Sequence, residues 1–294
     1  MQRATRIPIA GVHSPVYHVS DTSSTLDLAA ALLTDTTTAT PHLTTIIADH
    51  QSAGRGRLGR TWTTPDGQAL LASTIVSLPT SFPTEMLGWL VHACALSVRD
   101  ALSPRLSPLG HTVSLKWPND VLVDGARKIC GILAQLAPAS SPFTTSAILG
   151  YGINIAQDSD HLATPQATSL YAEGDTEAGA NPTSVSHTLL AQILTGLDSR
   201  IRGLITHGNA RDCGLADEAA NALPLLGTRI ALAKPTDPNG HPAMEGVALG
   251  LSPTGSLLVA TDDGRTHDIN AGDVLATGIP LTTVHDTKEK RANN

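Results

Sequence analysis

The chain has 294 residues, of which 41% are apolar and 15% charged, a balance that buries a core and excludes a largely disordered protein. Its net charge of −7 comes without a long basic run, so no segment offers the basic face a DNA-binding module requires. With only 3% aromatic residues, the interior must be built mainly from Ala, Val, Leu and Ile.

After an N-terminal arm, the capping residues Ser20 to Thr25 announce a helix over Leu26 to Leu33. The β-branched run Thr44 to Ala48 reads as a buried strand, and Ala69 to Leu78 as another, ended by Pro79. Leu87, Val91, Cys94, Val98 and Leu102 recur at three- and four-residue intervals, one apolar face of a helix from Thr84 to Leu102. That stretch, interrupted by His92, is too short to span a bilayer core of ~30 Å. Val113 to Trp117 is a strand stopped by Pro118. Val121 to Val123 and Ile129 to Leu136 flank Asp124-Gly125, a strong hairpin signal. A strand over Ala147 to Ile155 and a helix aligning Leu189, Ile193, Leu197 and Ile201 complete an α+β pattern. Beyond Leu223 the texture changes. Short apolar runs at Arg229–Ala233, Glu245–Leu251, Ser256–Ala260 and Thr266–Ile269 predict a small β-barrel or sandwich, and the polar last dozen residues a disordered tail. Cys94, Cys130 and Cys213 lie far apart, which fits free thiols in a reducing compartment. With no secretory h-region, a cytoplasmic location is expected.

Chemistry concentrates in three segments. Gly54-Arg55-Gly56-Arg57-Leu58-Gly59-Arg60 combines glycines, which let backbone N–H groups approach a ligand, with guanidinium forks suited to carboxylate or phosphate. Three like charges on a glycine-rich backbone predict a loop that is floppy when empty and ordered by an anion; a solvated basic loop satisfies the same composition. The run lacks the Lys-Ser/Thr ending of a Walker A loop, and no clear helix follows its glycines. Trp62, just beyond, is a ligand-stacking face or a core aromatic, the latter favoured on the residues alone. Lys116-Trp117-Pro118-Asn119-Asp120 is followed by Lys128. The chain has five lysines against fourteen arginines, and two of the five lie in this one unit. An ammonium there can neutralise charge as two anions join; two surface lysines, one paired with Asp120, are the plainer reading. Gly150-Tyr151-Gly152-Ile153-Asn154 alternates glycines along a strand, marking close approach of a ligand or of another part of the chain. The twelve histidines show no metal-ligand spacing, and no cysteine or serine sits in a nucleophile motif.

Taken together, GRGRLGR, KWPND, Lys128-Ile129-Cys130-Gly131-Ile132-Leu133 and GYGIN resemble, in order and spacing, the catalytic domain of biotin–protein ligases. The resemblance implies a mixed β-sheet flanked by helices, class II synthetase-like, over residues 1–222, an SH3-like β-barrel over 223–281, and a tail over 282–294. It implies that biotin and Mg·ATP form biotinyl-5′-adenylate, from which biotin passes to a lysine of a biotin carboxyl carrier domain of a carboxylase. Lys128 would bridge the biotin carboxylate and the α-phosphate, and Arg57, Lys116 and Asp120 would join it in the reacting centre. Ser24, Thr25, Gln51, Arg55, Gly56, Gly131 and Gly152 would form the biotin site with Arg57 and Lys128. Arg55, Arg57, Arg60, Trp62, Lys116, Asn119, Lys128 and Asn154 would contact ATP or the adenylate; no resident metal site is implied. The family commonly places asparagine after Ser-Thr; here that position is Leu26. About twenty residues precede the matched region, too few for a winged helix-turn-helix, so a ligase without DNA-binding duty is expected. The rival readings are a lipoate–protein ligase, which shares the fold and the acyl-adenylate chemistry, and a non-catalytic small-molecule sensor.

Overall fold

A computed structural model describes residues 4–35, 37–141, 144–233 and 242–277. The tail expected over 282–294 lies outside them. Among the described residues, thirteen strands fall in two sheets. The first sheet comprises β1 (Thr5–Ile7), β2 (Val16–Thr22), β3 (Thr45–Gln51), β4 (Ala69–Pro79), β5 (Val113–Lys116), β6 (Asp120–Val123), β7 (Arg127–Ser141) and β8 (Thr144–Asn154), in the order β1-β2-β3-β4-β8-β7-β6-β5. Only β2 and β3 run parallel, which makes the sheet mixed. The second sheet is wholly antiparallel: β9 (Arg229–Ala233), β10 (Pro242–Leu251), β11 (Leu257–Ala260), β12 (Thr266–Ile269) and β13 (Asp273–Thr277). The helices are α1 (Thr25–Thr34), α2 (Gly88–Leu106), α3 (Thr176–Ala180), α4 (Pro182–His207) and α5 (Leu215–Ala222).

The first sheet is covered on both faces, and its strands alternate accordingly. Ile47 and Leu149 join the large core with α2 and α4, whereas their neighbours Ile46 and Ile148 pack against Leu26 and Ala29 of α1. β4 sits between and is buried without a break from Ala69 to Val76, with Ser73 and Thr74 the polar residues in an otherwise apolar run. Leu102, fully enclosed in the main core, is the kind of position where truncation leaves a cavity. Leu102→Ala is expected to cost about 2–5 kcal/mol, read from the midpoint of urea unfolding.

Three sequence expectations change. Ser20, Asp21 and Thr22 belong to β2, not to a helix cap. Their backbone pairs in parallel with β3, a neighbour no local pattern announces; Ser24 alone caps α1, accepting from Leu26 N–H at 3.3 Å. Thr84–Leu87 is a 3₁₀ turn, and α2 begins only at Gly88. Leu87 and Val91, counted on its buried face, are half-buried, while Trp89, Leu90 and Leu96 are enclosed because α2 packs against both the sheet and α4. β13, absent from the sequence reading, closes the second sheet against β9.

His92, out of place in an apolar run, has a structural use. Its Nε2 lies 2.9 Å from Gly255 O, and Trp89 Nε1 donates to Pro253 O at 2.8 Å. Burial pulls the His92 imidazole below its ordinary pKa, so it is neutral and donates. The two side chains pin the second sheet to α2.

Candidate active site

Asp124 (φ 50°) and Gly125 (φ 68°) occupy the left-handed region, the type I′ geometry that joins β6 tightly to β7. KWPND is itself a turn. Lys116 ends β5, Trp117-Pro118-Asn119 reverses the chain, and Asp120 opens β6 as the register partner of Lys116. Asn119 locks the turn, its Nδ2 donating to Ile132 O at 2.7 Å and its carbonyl accepting from Ile132 N–H at 3.0 Å. Further along, register slips by one between Val121↔Cys130 and Leu122↔Lys128, which makes Ile129 the extra residue of a β-bulge. Strict alternation would set Lys128 and Gly131 on opposite faces; the bulge puts both on the same one. Lys128 Nζ then reaches Asp120 Oδ1 at 2.6 Å and stands 5.6 Å from the Trp62 ring centroid.

Gly131 and Gly152 face each other across β7 and β8. A Cβ on Gly152 would lie 2.5 Å from Trp62 Cε2 and Nε1, closer than atoms pack, so the bare backbone is what lets the indole rest there. Trp62 is therefore half-buried over the sheet, not a core aromatic, and its Nε1–H is buried with no partner among the described residues. Gly152→Ala is expected to push the ring off the strand and shift the tryptophan emission; an unchanged spectrum would contradict this packing.

The Gly/Arg segment, for which composition predicts a floppy loop when empty, has hydrogen bonds of its own. Gly56 N–H donates to Arg60 O at 2.7 Å and Trp62 N–H to Gly54 O at 2.9 Å, which closes a small hairpin. Carboxylates and carbonyls from elsewhere neutralise its arginines. Arg55 pairs with Asp27 of α1 at 2.6 Å, and Arg60 with Asp273 of β13. Arg57 donates to Asn119 Oδ1 at 3.1 Å and Gly272 O at 3.3 Å, and lies 3.8 Å from Asp273. Burial lowers the Arg57 pKa, with Asp273 and Asp120 opposing it; the group remains a partly desolvated cation.

At the far end, the helix cap brings Ser24 and Thr25 to Gln51. Gln51 Oε1 accepts from Thr25 N–H at 2.8 Å and Thr25 Oγ1 at 3.1 Å, and Ser73 Oγ donates to Thr25 Oγ1 at 2.8 Å. Leu26, where the family's asparagine is expected, is buried and packs over Gly150 beside Ile46 and Ile148. Asn154 Nδ2 donates to Thr168 O at 2.8 Å, and its Oδ1 accepts from Gln157 at 3.1 Å, so its side chain ties β8 to the following loop.

Every residue to which the resemblance gives a site role lines one cavity of about 590 Å³: Ser24, Thr25, Gln51, Arg55, Gly56, Arg57, Arg60, Trp62, Lys116, Asn119, Asp120, Lys128, Gly131, Gly152 and Asn154. Five cations (Arg55, Arg57, Arg60, Lys116, Lys128) face two carboxylates (Asp120, Asp273), an anion-attracting site on an acidic chain. Sequence reasoning missed Asp273 and the segment around Ala167. Asp273 is brought in only by the pairing of β13, and Ala167 only by the loop folding back on Lys128. The three cysteines are free thiols, with Cys94 pushed up to about 12 and Cys130 well up by burial, so neither is a nucleophile. Among the described residues, His111, Asp124 and Glu173 are close enough to hold a metal, but Arg127 already sits on both carboxylates.

The family model for biotin/lipoate A/B protein ligases matches residues 20–154, and that for the biotin protein ligase C-terminal domain matches 236–275. A biotin–[acetyl-CoA-carboxylase] ligase of Mycobacterium tuberculosis is 34% identical over 230 residues, covering 78% of this chain and 77% of that protein. The chain belongs to the biotin/lipoate A/B protein ligase family. Another biotin–[acetyl-CoA-carboxylase] ligase, from Paracoccus denitrificans, is 30% identical over 224 residues, covering 75% of this chain and 85% of its own. The solved biotin protein ligase of Aquifex aeolicus in complex with biotin and ATP superposes with a TM-score of 0.62 at 24% identity, over 88% of this chain and 97% of that one. This likeness establishes that the chain has the ligase family's fold, the mixed sheet with its separate C-terminal antiparallel sheet.

Proposed function

We propose that this chain is a biotin–protein ligase that activates biotin as biotinyl-5′-adenylate and transfers it to a lysine of a biotin carboxyl carrier domain of a carboxylase. The observation that carries the reading is that one cavity combines neutral hydrogen-bonding groups, Ser24, Thr25 and Gln51, with five cations. The Ser24–Thr25–Gln51 group offers both donors and acceptors, which suits a ureido ring better than a dithiolane, whose sulfurs donate nothing. Gly131 and Gly152 make a bare floor that the Trp62 indole covers here, and the ligand's bicycle takes that place only as the ring moves aside.

In the first step a carboxylate oxygen of biotin attacks the α-phosphorus of ATP, and the bond to the pyrophosphate oxygen breaks. Two anions must meet, so the barrier is largely repulsion, which fixed cations relieve. Lys128 lines the cavity beside Asp120 and supplies a compact charge to both reactants. Arg55, Arg57 and Arg60 hold the phosphates, exchanging their present carboxylate partners for them, and Lys116 and Asn119 support them from the turn. In the second step the carrier's amine attacks the acyl carbon and AMP leaves; no enzyme nucleophile is needed. Both carboxylates lining the cavity are paired with cations, which fits magnesium arriving bound to ATP better than a resident protein cage. Free thiols favour the cytoplasm, and the net charge of −7 favours no DNA duty. Among the described residues, no helix is long and apolar enough to cross a membrane.

Transfer of labelled biotin to a carrier domain should require ATP, and pyrophosphate release should depend on biotin. Robust turnover with lipoate alone would overturn the assignment, and binding without transfer would leave only a sensor.

A further inference from the structure

Lys128 lies beyond the paired end of one sheet neighbour. On the β6 side the register shifts at the Ile129 bulge and Lys128 pairs with Leu122; on the other edge Cys130↔Ile153 is the last register pair between β7 and β8. There the Lys128 backbone is held instead by the loop after β8: Lys128 N–H donates to Gln166 O at 2.6 Å, and Thr168 N–H donates to Lys128 O at 2.8 Å. This two-bond bridge fixes the peptide carrying the ammonium on that edge; Asn154 holds Thr168 by its carbonyl, and one carboxylate joins the Thr168 hydroxyl to Arg127. Glu173, its side chain 6% exposed, accepts from Thr168 Oγ1 at 2.6 Å and from Arg127 Nε at 2.5 Å and Nη2 at 2.9 Å. It thereby ties the residue before Lys128 to the residue that bonds Lys128 O. Its second oxygen lies 3.3 Å from His111 Nε2. His111 Nδ1 in turn reaches Asp124, which also accepts from Arg127 at 2.7 Å. Burial alone would raise the Glu173 pKa, but the bonds from Arg127 and Thr168 outweigh it and keep the carboxylate charged.

We propose that Glu173 is a positioning residue for Lys128, acting through Thr168 and Arg127 and touching neither reactant; the consequence for catalysis rests on the ligase reading. Fixing the peptide at 127–128 holds the ammonium in register with Asp120 and the cavity. A displacement there costs rate, because the charge must meet the developing transition state and not merely the bound anions.

The test separates this from the function itself. In competitive labelling with a limiting amine reagent followed by peptide mass spectrometry, Lys116 is an internal reference on the opposite side of the KWPND turn. Glu173→Gln, and Thr168→Val in case the first fails to fold, should raise Lys128 labelling relative to Lys116 by about threefold or more, as expected when an ion pair is loosened. Thr168→Ser, which keeps the hydroxyl donor, should match wild type. In pyrophosphate release, Glu173→Gln and Thr168→Val should lower kcat about tenfold with little change in the KM for either substrate. An unchanged labelling ratio in both variants overturns the proposal, even if activity falls together with Tm. A raised ratio in a chain that never releases pyrophosphate with biotin upholds the positioning role and overturns the ligase reading instead.

Discussion

Lys128→Ala is expected to reduce biotin-dependent pyrophosphate release by roughly 10²–10³-fold, the usual loss when one fixed charge is removed from a developing anion. The side chain is half-buried at a cavity edge, so truncation opens no core void, and thermal unfolding should stay within a few degrees of wild type. What changes is electrostatic. Asp120, 2.6 Å from the ammonium in the intact chain, is left as an unpaired carboxylate facing two more anions. Lys128→Arg should recover little, since a planar fork cannot occupy the place of a point charge between Asp120 and the Trp62 face. Pyrophosphate release within threefold of wild type in Lys128→Ala would remove the residue from the reacting centre.

Arg57→Gly should act on retention more than on chemistry. One guanidinium joins three parts of the molecule: the Gly/Arg hairpin, the KWPND turn through Asn119, and the second sheet through Gly272 and Asp273. Charge-assisted hydrogen bonds of this kind contribute about 1.5–3 kcal/mol each. Losing one of them to the bound adenylate corresponds to a dissociation rate raised about 10- to 100-fold. A chase of preformed biotinyl-adenylate with excess unlabelled biotin and ATP measures that rate directly. The released mixed anhydride should then acylate exposed lysines of bystander proteins. An unchanged off-rate would show that the hairpin is held by Arg55–Asp27 and Arg60–Asp273 alone.

The motifs were legible because each one's chemistry is local. Glycines that let a ligand or another part of the chain come close, arginines suited to fork onto phosphate and a lysine in an arginine-preferring chain carry their reason in the residue type. The partners were less legible. Asp27 and Asp273 neutralise the arginine hairpin from 28 and 213 residues away, and nothing near them in the chain marks them for that use. The same holds for the first two strands. β2 contains capping-type residues, and only a parallel neighbour makes Ser20 to Thr22 extended. His92 read as an interruption of an apolar face because the carbonyl it serves, Gly255, belongs to the other sheet.

Residue order alone therefore determined the class of fold, a capped helix after Ser20 to Thr25 and the Asp124-Gly125 turn, since propensity and turn geometry act over a few residues, and the family resemblance implied most of the side chains that line the cavity. Tertiary structure decided how those side chains are aimed. The bulge at Ile129 turns Lys128 toward Gly131, the loop through Thr168 holds it there, and the second sheet delivers Asp273 to the arginines. Those are pairings between distant backbone segments, settled by which hydrogen-bonding edges remain to be satisfied after the core has packed, and that accounting closes only in three dimensions.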